Sequence, residues 1–91
     1  MSPQVDAGPD EIERFARELK QFNALLADST SRLRGQFASL GDTWRDQEHQ
    51  KFAQEFEQTM RVLHHFMQAA DQQIPFLLRK AAHLRDYLQQ R

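Results

Sequence analysis

Apolar residues recur every seven positions through the first half of the chain, as Ile12, Leu19, Leu26, Leu33 and Leu40. Phe15 and Phe22 follow the first two of them by three residues and predict the second position of a packing seam. Such a heptad stripe is typical of a helix packed against another helix along its length. Gly8 and Pro9 precede the stripe, and proline is favoured in the first turn of a helix. The pattern predicts a first helix over about 9–40.

The second half carries apolar residues at three- and four-residue spacing almost to its end. They are Phe52, Phe56, Leu63, Phe66, Ala70, Leu77, Ala81, Leu84 and Leu88. This spacing predicts a second helix over about 44–90, and no part of the sequence alternates as a strand would. In the predicted turn, about 41–43, Gly41 suits a left-handed helix cap, while Thr43 and Asp46 have the spacing of a capping box. The fold class is all-α, an antiparallel two-helix hairpin.

The hairpin accounts for the whole chain, 1–91, as a single domain, with residues 1–8 expected to form a flexible N-terminus. Pro75 interrupts the second helical pattern, so a kink or break is expected there. Counting at about 1.5 Å per residue from a three-residue turn places Ile12 opposite residue 72. The first helix would therefore end near Pro75, and the segment beyond it would need another chain to pack on.

An apolar surface wider than one partner helix can cover indicates association. Four apolar residues lie off the predicted seam, at Leu25, Phe37, Met60 and Met67. The segment around and after Pro75 adds Ile74, Leu77, Leu78, Leu84 and Leu88. These nine residues form the predicted partner interface. The expected partner is a second copy or a related small helical-hairpin protein, which would complete a four-helix bundle.

Composition excludes several functional classes. Twelve Lys/Arg against thirteen Asp/Glu give a net charge of −1, so no basic field attracts nucleic acid, and membrane contact is not expected. There is no cysteine, no apolar segment of a signal peptide and no stretch long enough to span a bilayer. No catalytic motif is present either, so we expect a protein without enzymatic activity or a cofactor.

The four histidines, His49, His64, His65 and His83, raise the question of a metal site. Asp46 and His49 have the i, i+3 spacing of ligands on one helical face, but no second such pair matches them. His64 and His65 are adjacent and point about 100° apart. We therefore predict no metal ligands, and a helical-bundle metalloprotein is the weakest of the alternatives.

The segments "GPDEI", "LGDTWRD" and "WRDQEHQKFAQEF" together resemble the WXG family of small type VII secretion proteins. Trp44 in the turn, followed by Phe52 and Phe56 on the second helix, matches the family's tryptophan and spaced aromatics. The resemblance covers roughly residues 8–88. Asp46 stands where the Trp-X-Gly motif has glycine, and Tyr87 is followed four residues later by Arg91 instead of the acidic residue of the family's export signal.

The resemblance implies an interaction protein associated with type VII-type export, acting as effector, adaptor or export partner. It would be secreted without a cleavable signal peptide, or be cytoplasmic before export. Trp44, beside Asp46, would contribute to recognition by a secretion ATPase; the alternative is that Trp44 only plugs the end of the bundle. A cytosolic coiled-coil secretion chaperone and a secretion-needle-type subunit are the alternative functions.

Overall fold

The computed structural model describes residues 8–89, which form two helices joined by a short connection. Helix α1 spans Pro9–Leu40 and helix α2 spans Gln47–Gln89. They pack side by side into an elongated hairpin of 69 × 27 × 16 Å, with no strand in the described part. The predicted all-α hairpin is confirmed. Residues 1–7, which include most of the predicted flexible N-terminus, lie outside the described range, as do residues 90 and 91.

Helix α1 begins where its sequence satisfies the first free backbone donors. The Gly8 N–H donates a hydrogen bond of 2.8 Å to Glu11 Oε1, while the Glu11 and Ile12 N–H groups donate to the Gly8 carbonyl at 3.1 Å. Pro9 has no N–H that needs a partner. Asp10 and Glu11 place two negative charges at the positive end of the helix dipole. These features fix the start of α1.

The two helices meet along one seam, defined here as the half-buried and buried positions that face the other helix. On α1 these positions alternate by four and three residues as far as Thr30, and the next follows seven residues later: Ile12, Ala16, Leu19, Asn23, Leu26, Thr30 and Phe37. On α2 they are Ala53, Phe56, Met60, Leu63, Met67, Ala70, Ile74, Leu77, Ala81 and Leu84. Ala16, Ala70 and Ala81 are each 1% exposed. Their small side chains allow the two backbones to approach closely.

The predicted second seam position on α1 is wrong. Phe15 and Phe22 are 58% and 53% exposed, whereas Ala16 and Asn23, one residue later, are buried. The second seam position therefore comes four residues after each residue of the heptad stripe, whereas the sequence suggested three. Both spacings are compatible with a helix of 3.6 residues per turn, so periodicity alone does not separate them.

The predicted lack of an intrachain partner beyond Pro75 is also wrong. Ala81 is buried in the seam, and Arg85 Nη2 lies 2.7 Å from both Asp10 Oδ1 and Glu13 Oε1. The first turns of α1 therefore lie beside residues 81–85. The difference comes from the connection, because α2 begins at Gln47, and a longer turn shifts the pairing of the two helices toward the C-terminus of α2.

Pro75 does not break α2, which is continuous from Gln47 to Gln89. Proline leaves the carbonyl four residues earlier without its helical donor, and here that carbonyl belongs to Asp71. Both Pro75 and Asp71 are exposed, so water can reach this position. The predicted break is not found, and a kink at this position stays a prediction.

We expect Ala70→Leu to destabilise the hairpin by about 1–3 kcal/mol, because the seam has no room for three further carbon atoms. The matched control is Ala69→Leu, at the exposed neighbouring position, which should change the free energy of unfolding by no more than about 0.5 kcal/mol. Urea unfolding followed by circular dichroism measures both. Equal effects at the two positions would contradict close packing at Ala70.

Candidate functional site at the turn and along one face

The C-terminus of α1 is closed by right-handed turns. Gly41 has φ −64° and ψ −13°, so the predicted left-handed cap is wrong, and no residue in 8–89 has a positive φ. The Gly41 N–H donates to the Phe37 and Ala38 carbonyls, and the Trp44 N–H donates to the Leu40 carbonyl at 2.9 Å. A Cβ at Gly41 would lie 3.3 Å from the Ala38 oxygen and 3.7 Å from His49 Nε2. Glycine here avoids a tight contact with the Ala38 carbonyl, while a side chain would meet His49 at an ordinary van der Waals distance.

Asp46 is the N-cap residue of α2. Its Oδ1 accepts a hydrogen bond of 3.0 Å from the His49 N–H, and its carbonyl accepts from the Gln50 N–H. The predicted capping box placed Thr43 at the cap and Asp46 three residues inside the helix, which is wrong. Thr43 Oγ1 instead donates to the Leu40 carbonyl at 3.4 Å, and so serves the end of α1. The short aspartate side chain satisfies an otherwise free donor at the start of α2.

An aromatic cluster fills the turn end of the hairpin. Phe37 stacks on His49, with ring centroids 5.1 Å apart, and packs on Phe56 at 4.7 Å and Phe52 at 5.6 Å. Trp44 is half-buried; its ring meets the His49 ring edge-on at 4.9 Å and lies 6.2 Å from Phe52. His49 Nε2 is buried without a hydrogen-bond partner. Trp44 thus plugs the end of the seam while part of its indole remains accessible.

One side of the hairpin, named here the open face, carries large apolar residues that neither helix covers. It comprises Phe15, Phe22, Leu33, Leu40, Phe52, Val62 and Phe66, each between 42% and 66% exposed. On α1, Phe15 and Leu33 are 18 residues apart, as are Phe22 and Leu40, which is about five full turns of helix. Each pair therefore points the same way. Phe22 and Phe66 meet across the helices, edge to face, at 5.8 Å.

Two shallow cavities interrupt the open face. One, of about 290 Å³, is lined by Phe22, Leu26, Val62, Leu63 and Phe66. The other, of about 320 Å³ and nearer the turn, is lined by Leu33, Gln36, Phe37, Leu40, Phe52 and Phe56. Their walls are almost entirely apolar. Depressions of this kind accept protruding side chains of a packing partner.

The opposite side of the hairpin is polar. A smaller cavity of about 180 Å³ there is lined by Thr30, Ser31, Arg34, Met60, His64 and Met67. Arg34 pairs with Glu57 across the helices at 3.3 Å. Leu78 follows His64 and Asp71 at seven-residue intervals, so it belongs to this side. The hairpin is therefore apolar on one flank and polar on the other.

The residues predicted as a partner interface occupy two different environments. Leu25, Leu78 and Leu88 are exposed. The other six lie in the intrachain seam: Phe37, Met60, Met67, Ile74, Leu77 and Leu84. Met60, at 3% exposure, belongs to the core of the hairpin. Sequence reasoning assigned Phe15, Phe22, Leu33 and Leu40 to the seam instead, and the signal it missed was the second heptad series, Ala16, Asn23, Thr30 and Phe37.

Arg85, Asp10 and Glu13 form a charged clamp that joins the start of α1 to the last turns of α2, far from the turn. Hydrogen bonds from Arg85, together with its positive charge, lower the pKa of both the Asp10 and the Glu13 carboxyl groups. The same contacts raise the pKa of Arg85. Asp10 is largely exposed, so water screens much of this attraction. The clamp therefore adds little stability, but it shows which residues of α1 and α2 lie opposite each other.

Within residues 8–89 no group of three or more histidine, aspartate or glutamate side chains is arranged to hold a metal ion. Neither helix, over the same residues, is long and apolar enough to cross a membrane.

An elongated helical hairpin with an aromatic turn and one uncovered apolar flank defines a small protein-interaction module. The chain belongs to the WXG100 family, described as proteins of 100 residues with WXG, whose model matches residues 4–87. Trp44, Arg45 and Asp46 occupy the turn position of that motif. No curated protein sequence matches the chain significantly.

Solved structures of the secreted protein EsxB from Bacillus anthracis str. Sterne are similar to the chain. A point mutant of EsxB gives a TM-score of 0.80 at 25% identity, covering 91% of this chain and 93% of that one. Wild-type EsxB gives 0.77 at 25% identity over 91% and 95%, and selenomethionine-labelled EsxB gives 0.78 at 24% identity over 94% and 98%. The predicted WXG-type family is confirmed, and the chain has a secretion-related, protein-interaction role.

Removing the cap of α2 should destabilise the turn. We expect Asp46→Ala to lower the free energy of unfolding by about 1 kcal/mol, because the His49 N–H loses its acceptor. Asp46→Asn is the matched control, since its amide oxygen can accept the same bond. Chemical unfolding of the two variants beside the parent chain tests this, and an alanine variant as stable as the asparagine variant would count against the cap.

The charged clamp should make a pH-dependent contribution. Since folding lowers the pKa of Asp10 and Glu13, their contribution is present above the ordinary carboxyl pKa near 4 and is lost as pH falls through the lowered values. Thermal unfolding of the parent chain and Arg85→Gln between about pH 2 and pH 7 should show a difference that vanishes at the acid end. A difference independent of pH would mean that Arg85 acts through packing alone.

Proposed function

We propose that this WXG100 protein acts as a dimer of two copies joined through the open face, and that it is exported by, or assists export through, a type VII-type secretion system. The observation that carries this proposal is the continuity of the open face. Large apolar residues run along it from Phe15 to Leu40 on α1 and from Phe52 to Phe66 on α2. A row of half-exposed aromatic residues of this length is typical of an interface.

A second copy suits the open face in shape and charge. Two hairpins placed face to face would form a four-helix bundle, in which each apolar flank covers the other. The cavities at Phe66 and Phe52 would receive side chains from the partner. A net charge of −1 per chain gives little repulsion between copies. The described residues therefore provide the surface that a homodimer needs.

The part of Trp44 that remains accessible gives the turn end a separate role. Because Trp44 and Asp46 lie at one tip of the hairpin, away from the middle of the open face, dimerisation leaves room for another protein to contact them. We propose that this tip is the surface read by the export ATPase, as the family resemblance implies. The exposed Leu25 and Leu88 are candidates for additional partner contacts.

Disrupting the open face should weaken self-association without unfolding the helices. We expect Phe66→Gln to raise the dimer dissociation constant by about 100-fold, as loss of a central aromatic contact at an interface does. Light scattering over a wide concentration range measures the molar mass, and circular dichroism checks that the chain remains helical.

The matched control is Leu78→Gln, because Leu78 is 40% exposed and Phe66 is 42% exposed, but Leu78 lies on the polar side. It should leave the dissociation constant nearly unchanged. If Leu78→Gln weakened association and Phe66→Gln did not, the interface would lie on the opposite side of the hairpin. A parent chain that remained monomeric at every concentration would contradict the homodimer.

A further inference from the structure

Helix α1 offers α2 two alternative seams. Ile12, Leu19 and Leu26 belong to both. The observed seam adds the residues four positions after each heptad residue, Ala16, Asn23, Thr30 and Phe37. The alternative adds those three positions after, Phe15, Phe22, Ser29 and Gln36. Adjacent residues lie about 100° apart on a helix, so rotating α1 by roughly half that angle, about 50°, would exchange one seam for the other.

Hydrophobic burial alone does not select the observed seam in the N-terminal half of α1. There the observed seam buries Ala16 and Asn23, whereas the alternative would bury Phe15 and Phe22. Two phenylalanines would remove far more apolar surface from water than an alanine and an asparagine. Nearer the turn, Phe37 holds the observed rotation through Phe52 and Phe56. The N-terminal half needs a different determinant.

Asn23 makes the polar contact that distinguishes the two rotations. It is 8% exposed, and its Nδ2 donates to the Met67 carbonyl at 3.1 Å and to Asp71 Oδ1 at 2.9 Å, both on α2. Its Oδ1 is buried with no partner. A buried amide with one unpaired oxygen is an expensive group in a core, so this residue costs stability. Rotating α1 would carry its N–H groups away from both acceptors.

We infer that Asn23 is a positioning residue that sets the rotation of α1 and thereby keeps Phe15 and Phe22 on the open face for the partner. A single buried polar residue can fix the register of packed helices at a cost in stability. Here the polar residue fixes the rotation of α1, and that rotation keeps the open face available for binding. The part of this inference that concerns a second copy rests on the proposed function, whereas the rotation itself is a property of one chain.

The rotation can be measured without any partner. The chain has no cysteine, so Ser29→Cys introduces a single thiol that is exposed in the observed rotation and enters the seam in the alternative one. Gln21→Cys is the reference, because Gln21 is exposed and lies on the side of α1 opposite the seam, so a rotation of about 50° leaves it exposed. The thiol ratio is the rate at which the Ser29→Cys thiol reacts with a disulfide reagent, divided by the rate for the reference thiol. At dilutions where the chain is monomeric, we expect Asn23→Leu to lower this ratio about tenfold.

Association supplies the second measurement. In chains without cysteine, Asn23→Leu should raise the dimer dissociation constant about tenfold while leaving the midpoint of unfolding unchanged or higher. Ala24→Leu, which places a leucine at the exposed next position, should change neither quantity. Asp71→Ala, which removes one acceptor at an exposed position, should shift the thiol ratio in the same direction and gives a second test if Asn23→Leu does not fold.

The outcomes are distinct. An unchanged thiol ratio in a folded Asn23→Leu or Asp71→Ala chain overturns the inference. A lower ratio with unchanged dimerisation overturns the connection between this rotation and the open face. If the parent chain does not dimerise at all, the proposed function fails, but the thiol ratio still decides whether Asn23 sets the rotation.

Discussion

The packing of α1 against α2 along one seam is the constraint on which the rest of this molecule depends. Alanines at 16, 70 and 81 bring the backbones close, and almost all long-range contacts in residues 8–89 join these two helices. A pair of helices can cover only one strip of each other, so most large apolar side chains outside that strip remain in contact with water. The uncovered surface is a geometric result of having two helices and no third layer.

The distribution of polar groups around the seam gives the hairpin two unlike flanks. Asn23, Asp71, Arg34 and Glu57 lie on or next to one flank, while the aromatic rows of both helices lie on the other. This asymmetry connects the fold to the family. WXG100 membership and the likeness to secreted EsxB indicate a role in protein interaction, and the apolar flank is the surface with the composition for it.

Trp44 at the tip packs against His49 and Phe52, so the turn motif is part of the packed structure and also accessible.

The sequence contained enough information for the hairpin, its family and the position of its turn, because long heptad series and the tryptophan are strong signals. It did not distinguish Phe22 from Asn23 as the buried residue, since both follow a shared stripe at helical spacing and the more apolar one is the natural choice. What decides is a contact with Asp71, 48 residues away, which no local pattern contains. The pairing of Arg85 with Asp10 was missed for a related reason: the length of the turn sets it, and that length depends on which residue caps α2.

The position of Asp46 also bears on how relatives of this chain can be found. At an N-cap, aspartate and glycine are both favoured residues, and aspartate has the advantage that its carboxylate accepts a backbone N–H. The third position of the Trp-X-Gly motif is, in this chain, a helix N-cap. A sequence search that insists on glycine there would discard chains carrying aspartate, asparagine or serine, although each can begin the second helix equally well. A profile that scores this position for capping ability would retain them.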